Sequence, residues 1–435
     1  MRRSGSIAAL IVLPVFGSAQ PASSASAKAN ETAPLGPTPA WVNVGGQLRV
    51  RAESYTGGGF QPDNSDSYLL TRILLNARIR TSRATSFFVE GMDARGPWKN
   101  SIPAGPPFRD YFDLRQLYAQ LGADNSRAFL RAGRQELFFG DGRLVGPLLW
   151  ANTARTFDAA RASFSGTGYR VDGFASSVVR VVQDRFDRNV PGNNFYGAYV
   201  STTRLIARSA VEPFFFWRRQ SGLTSEAGVR GTMNFGTLGL RLAGKPSPID
   251  YDIQVAGQNG SLGDESIRAW AGHGLVGYTA RAIFSPRVFA EYNQASGDEN
   301  PTDDQKGTFD QLYPTGHDKY GLTDLVGWQN MRHLRGGLEL AVAKGWSATA
   351  RYSRYWLDDP HDALYNGGGA ALARSPTGVA GTDVGQEIDL ITSGKIQAGL
   401  GFSAGIGHFM PGDFLKATTP GKAYTYPYAM LTYDF

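Results

Sequence analysis

For most of its length the chain alternates apolar with polar side chains, and this period of two is the feature that most limits its fold. In Gln47-Leu48-Arg49-Val50-Arg51-Ala52-Glu53 every second residue is apolar. From Arg72 to Arg80 the set Ile73, Leu75, Ala77 and Ile79 opposes Arg72, Asn76, Arg78 and Arg80. Tyr251, Ile253 and Val255 oppose Asp252 and Gln254, and Leu334, Leu338, Leu340 and Val342 oppose His333, Arg335 and Glu339. Successive side chains of a strand point to opposite faces, so this pattern gives a strand one greasy and one wet side; a helix would need a period near 3.6. A chain with 54 Gly, 12% aromatic and only 19% charged residues has the turn formers and strand formers that such a fold requires. The class is all-β. Alternation alone does not say which face is buried, since a soluble sandwich hides the apolar face and a membrane barrel exposes it to lipid.

The last residues choose between the two. In Pro427-Tyr428-Ala429-Met430-Leu431-Thr432-Tyr433-Asp434-Phe435 the apolar positions step back by two from a terminal Phe. A strand finishing on an aromatic resembles the closing strand of outer-membrane barrels, which the barrel assembly machinery reads. Strands are predicted at 44–55, 67–81, 84–95, 111–122, 126–138, 155–165, 168–180, 194–206 and 210–219. Nine more follow at 229–244, 248–259, 265–280, 283–297, 332–343, 346–357, 384–393, 395–409 and 423–435. After even-numbered strands come tight turns such as Gly166-Thr167, Lys245-Pro246-Ser247, Lys344-Gly345 and Gly394; after odd-numbered strands come longer loops, notably 139–154, 298–331 and 358–383. Short periplasmic turns and long external loops are what an even-stranded barrel requires. The expected fold is a single transmembrane antiparallel β-barrel of about eighteen strands over residues 41–435.

Arg2 and Arg3, the apolar run Ile7 to Phe16 and the small residues Gly17-Ser18-Ala19 have the layout of a secretory signal peptide, expected at 1–19. The run is short and carries Pro14, too little for a membrane-spanning helix. Residues 20–40, rich in Ala, Ser and Pro, are expected to be a flexible periplasmic lead-in. Cysteine is absent, which excludes disulfides, thiolate metal sites and Cys nucleophiles. The net charge of +6 is spread along the chain with no basic block, which speaks against a nucleic-acid partner.

One stretch is specific. Gly133-Arg134-Gln135-Glu136-Leu137-Phe138-Phe139-Gly140-Asp141-Gly142-Arg143-Leu144-Val145-Gly146, followed by Asn152, Arg155-Thr156-Phe157-Asp158 and Arg161, resembles the signature of the alginate export family. Tyr68-Leu69-Leu70-Thr71-Arg72, Ile267-Arg268-Ala269-Trp270-Ala271, Ser296-Gly297-Asp298, Gly307-Thr308-Phe309, His408-Phe409 and Gly412-Asp413-Phe414-Leu415 agree with it. The resemblance implies an eighteen-stranded outer-membrane channel that passes an anionic polysaccharide or oligosaccharide without a cofactor. It also implies outer-membrane lipid around the wall and periplasmic export components as partners.

Parity places Arg49, Arg51, Arg72, Arg78, Arg80, Arg155, Arg161, Arg170, Arg287, Arg335, Arg351 and Lys395 toward the lumen, against Glu53, Glu90, Asp172, Asp252, Glu291, Glu339 and Asp434. The candidate pore and substrate-binding residues are Arg49, Arg51, Arg78, Arg80, Arg143, Arg155, Arg161, Asp141 and Asp158. Fixed positive charge draws a polyanion into a channel, whereas the same arginines in cross-strand ion pairs are structural. The loop from Gly140 to Asp158 either folds into the pore as a constriction or packs as an external plug. Arg131 with Gln135 and Arg134 with Glu136 lie on opposite faces, so one pair sits above the lipid belt or follows a bulge. Catalytic motifs are weak. Gly401-Phe402-Ser403-Ala404-Gly405 lies inside an alternating strand, not on a strand-to-helix elbow, and the five histidines are isolated. The acidic loop Asp298-Glu299-Asn300 with Asp303-Asp304 has the donors for a divalent cation, but reads first as a solvated loop. The rival functions are a porin-like path for small organic anions, an outer-membrane hydrolase and a closed structural barrel.

Overall fold

The computed structural model describes residues 39–99, 107–183, 185–225 and 228–435. The signal peptide and all but the last two residues of the lead-in lie outside them. Eighteen strands form one closed antiparallel ring. The first nine are β1 (Val42–Thr56), β2 (Ser65–Arg80), β3 (Thr85–Arg95), β4 (Asp110–Leu121), β5 (Ala128–Gln135), β6 (Phe157–Gly166), β7 (Tyr169–Arg180), β8 (Arg188–Thr202) and β9 (Ser209–Thr224). The rest are β10 (Arg230–Gly244), β11 (Ile249–Leu262), β12 (Glu265–Thr279), β13 (Arg287–Ala295), β14 (Met331–Ala343), β15 (Trp346–Trp356), β16 (Asp383–Gln397), β17 (Leu400–Pro411) and β18 (Tyr424–Asp434). Each strand pairs with its sequence neighbours, and β18 closes on β1 with Gln47 opposite Asp434 and Glu53 opposite Tyr428. Past the last pair, the Gly46 and Phe435 backbones exchange N–H···O bonds of 2.9 and 3.1 Å. Closure leaves no unpaired edge, which is the condition for a sheet to stand in hydrocarbon.

Burial is inverted relative to a soluble protein, and this resolves what alternation left open. Leu48, Val50, Ile73, Leu75, Leu338 and Leu390 are exposed on the outer wall, while Gln47, Arg49, Arg51, Arg72, Glu90 and Asp389 are buried inside. A wall greasy outside and polar inside suits lipid. The terminal strand follows the expected parity, with Pro427, Ala429 and Leu431 outward and Tyr426, Tyr428 and Met430 inward.

Three expectations about joints are corrected. Gly394 is not a turn: β16 runs on to Gln397, and the chain reverses at Ala398-Gly399, where Gly399 has φ +76°. Gly394 is glycine because the Trp346 ring lies where a Cβ would be, 2.2 Å from its nearest carbon. Leu400 therefore opens β17 at the periplasmic rim. The joint after β11 is not long but a two-residue hairpin, Gly263-Asp264, with Gly263 at φ +61°. Finally, β5 ends at Gln135, short of the expected 138, because the chain leaves the sheet there and enters the lumen.

Candidate functional site

The loop at 136–156 turns on Gly140 and Gly142, at φ +60° and +78°, which β-carbon-bearing residues rarely adopt. The turn drives Phe139 inward onto Phe174 and Tyr199, with ring centroids 5.3 and 5.2 Å away. Around it the inner faces of β6 to β10 contribute Phe157, Phe195, Phe214, Phe216 and Phe235, all buried. A second loop, 296–330, meets the first in the lumen. Val145 and Tyr313 form a parallel bridge, flanked by Tyr313 N–H to Leu144 O (2.9 Å), Gly146 N–H to Tyr313 O (2.9 Å) and Thr315 N–H to Gly142 O (2.8 Å). Of the two readings of the signature loop, the inward one is what the chain adopts.

On the opposite wall, arginines of β1 and β2 grip the first loop by its backbone. Arg49 donates to Leu149 O at 2.7 Å, Ala151 O at 3.3 Å and Asn152 Oδ1 at 3.0 Å. Arg72 donates to Leu149 O at 3.0 Å, Ala151 O at 3.3 Å and Gln47 Oε1 at 2.7 Å. Arg51 donates to Trp150 O, pairs with Glu53 at 2.5 Å and lies 3.8 Å over the Trp150 ring. The other face of that ring stacks on His317 at 3.7 Å. Asn152 fixes the loop to the rim, donating to Thr71 O, Arg95 O and Phe108 O.

The remaining candidates divide. Arg143 is buried among β12 and β13: it donates to Asn293 Oδ1 at 3.2 Å, meets His273 Nε2 at 3.2 Å and lies 3.3 Å from Asp141 and 3.6 Å from Glu291. Asp141 accepts the Arg143 N–H and the Lys319 ammonium, both at 3.0 Å. Burial pushes the Asp141 carboxyl up, but Lys319 and then Arg143 outweigh it and hold the group well below the usual carboxylate range. Arg155 donates to Gly146 O at 3.3 Å and Pro314 O at 3.0 Å. Burial, with the Arg218 charge adding, brings its guanidinium down to about 10 against the partial offset of Tyr313. Arg161 faces the lumen and shares Asp172 with Arg170, at 3.0 and 2.8 Å. Arg78 reaches Tyr118 at 3.2 Å and Asp124 at 3.8 Å, and Arg80 is exposed at the periplasmic rim.

Asp158 is a correction. It has the outward parity of Ala160 and Ala162, and it pairs across the ladder with Arg134 at 2.9 Å, so this pair sits on the outer face at the external end of the strands. Arg131 and Gln135 are the inward pair, while Glu136 bonds Arg115. Arg115 is inward because it is the extra residue of a bulge in β4, between Gln116 opposite Glu90 and Leu114 opposite Gly91. Sequence reading also missed Trp150, Lys319 and Asp318, the partner of Arg351. The apolar run Leu148-Leu149-Trp150 inside a polar loop was the one available signal for a buried segment.

A charged lumen narrowed by inward loops is porin architecture, and comparison with known proteins gives the lineage. The family model for alginate export matches residues 40–428. The chain belongs to the alginate export family. Among solved structures, this family member resembles Pseudomonas aeruginosa OpdO, with 16% identity and a TM-score of 0.59 over 90% of this chain and 97% of that one. It also resembles P. aeruginosa OccK11 (OpdR), with 14% identity and a TM-score of 0.57 over 90% and 96%. A third is P. aeruginosa OccK2 (OpdF), solved in complex with glucuronate, with 12% identity and a TM-score of 0.58 over 91% and 98%. No curated protein sequence matches the chain. The alginate export barrel is an outer-membrane channel.

Proposed function

We propose that this channel passes an anionic saccharide, a uronate-bearing polymer or oligomer, passively and without catalysis. The observation that carries the reading is how Arg49, Arg72 and Arg155 are satisfied. Each guanidinium is hydrogen-bonded to carbonyl or amide oxygens, which are neutral, so no carboxylate pairs with it directly, whereas Arg161 shares the Asp172 carboxylate with Arg170. Fixed charge acts over a Debye length of about 8 Å at physiological ionic strength, so it sets selectivity where loops have narrowed the path. A carboxylate-bearing sugar matches that field, and the family name and the glucuronate held by one structural neighbour point the same way. Lipid around the outer wall, the barrel assembly machinery and periplasmic export components complete the proposed partners.

The test is reversal potential in a salt gradient across a planar bilayer. Anion preference is expected in the wild type, with a larger loss in Arg155→Glu than in Arg161→Glu, since the second arginine already shares a carboxylate with Arg170. A cation-selective wild type overturns the reading. A second reading, a porin for small organic anions, draws on the two loops that occupy the lumen. Conductance blocked by oligouronates supports the saccharide; passage of single uronates with no block by oligomers supports the porin.

A further inference from the structure

A bulge at the external end of β4 brings two carboxylates together. Met92 pairs with Asp113 and Ala94 with Asp110, so the extra residue there swings Phe112 out into solvent and leaves Asp110 and Asp113 both buried. Asp187, the residue before β8, meets them. The Asp187 N–H donates to Asp113 Oδ2 at 2.6 Å, and Asp187 Oδ1 accepts the Val182 N–H at 2.8 Å. One oxygen from each of Asp110, Asp113 and Asp187 lies within 4.8 Å of the other two.

We propose that Asp110, Asp113 and Asp187 bind a calcium ion that ties the chain at Asp187 to β4 at the mouth of the barrel. The independent sign is Asp113. It is only 3% exposed, and its Oδ1 is buried without a hydrogen-bond donor. A buried carboxylate oxygen with no donor is expensive unless a cation faces it. The guanidinium that acts on both Asp113 and Asp187, that of Arg134, is already bonded to Asp158 and Leu114 O. Asp187 carries the same strain: burial first, with the Asp113 carboxylate adding, pushes it up to about 6. An all-carboxylate oxygen set points to a hard cation, and calcium, which takes oxygen ligands at about 2.3–2.6 Å in flexible geometry, suits it better than magnesium, which usually keeps several of its waters. Three hard oxygen donors facing the cell exterior suit a weak extracellular type of site, with Kd of about 10⁻⁴–10⁻³ M.

The experiment uses the purified full-length barrel in detergent, stripped with EDTA and titrated with CaCl2 by calorimetry, with Tm followed in parallel. One saturable calcium per chain and a rise in Tm are expected, with MgCl2 at least tenfold weaker. Asp113→Asn and Asp187→Asn should each weaken calcium at least tenfold while the barrel still migrates as a folded, heat-modifiable band. Asp187 lies in a loop and is half-buried, so its variant keeps the test sound if Asp113→Asn fails to assemble. Absence of saturable binding at ten times that Kd, or unchanged calcium affinity in Asp187→Asn, overturns the proposal.

Discussion

The two sides of the lumen hold the same loop by opposite means. Against β6 to β10 the loop at 136–156 is anchored by aromatic burial, with Phe139 among Phe174, Tyr199 and Phe216. Against β1 and β2 it is held by guanidinium groups bonding its carbonyl oxygens, with no apolar side chain of comparable size except Trp150 under Arg51. On the aromatic side shape complementarity provides rigidity, and on the arginine side the bonds that position the loop also leave positive charge in the path. On the proposed reading, stability of the narrowing and selectivity of the channel rest on different residues, and mutation should separate them.

The largest effect is expected on the aromatic side. Phe195 is fully buried and packs on Phe157, Phe174, Phe216 and Tyr313, so Phe195→Ala should cost about 3–5 kcal/mol in urea unfolding and raise conductance as the loop loosens. Its anion preference should stay. Arg49→Ala comes next: hydrogen bonds to a charged group contribute about 1.5–3 kcal/mol, and here selectivity should fall together with stability. If Phe195→Ala changes the reversal potential and Arg49→Ala does not, the division between the two sides is wrong. The smallest effect is a pH dependence. Asp141 has a folded pKa below its unfolded value of about 3.9, so its stabilisation is fully present above that value and is lost as pH falls through it toward the depressed one. Unfolding measured between about pH 5 and pH 3 should weaken for the wild type more steeply than for Asp141→Asn.

The barrel was legible in the sequence because a period of two is a local property and a wall one residue thick has no deeper layer to hide. The same parity rule sends Asp158 outward from Arg161, three residues on; only its place in the family signature recommended it for the pore. Gly394 shows the limit of reading turns from glycine, since a glycine under a cross-strand Trp and a glycine at a reversal look alike in the chain. The site was harder for a different reason. Whether an arginine's charge is free or cancelled depends on what the loops bring to it, and Arg143 takes its partners from residues 130 and 150 positions away. Arg115 faces the lumen only because of a bulge, which shifts parity without leaving a pattern in the sequence.

The two inward loops are stitched to each other as firmly as to the wall. Between Asp141 and Gly146 on one and Tyr313 and Lys319 on the other run three backbone hydrogen bonds, two of which make the parallel bridge, and an ion pair at 3.0 Å. Neither loop can swing aside without tearing that seam or taking the other along. In a single-channel record such a coupled pair should behave as one door: the expected current switches between two levels, with no intermediate step in which one leaf has moved and its partner has stayed.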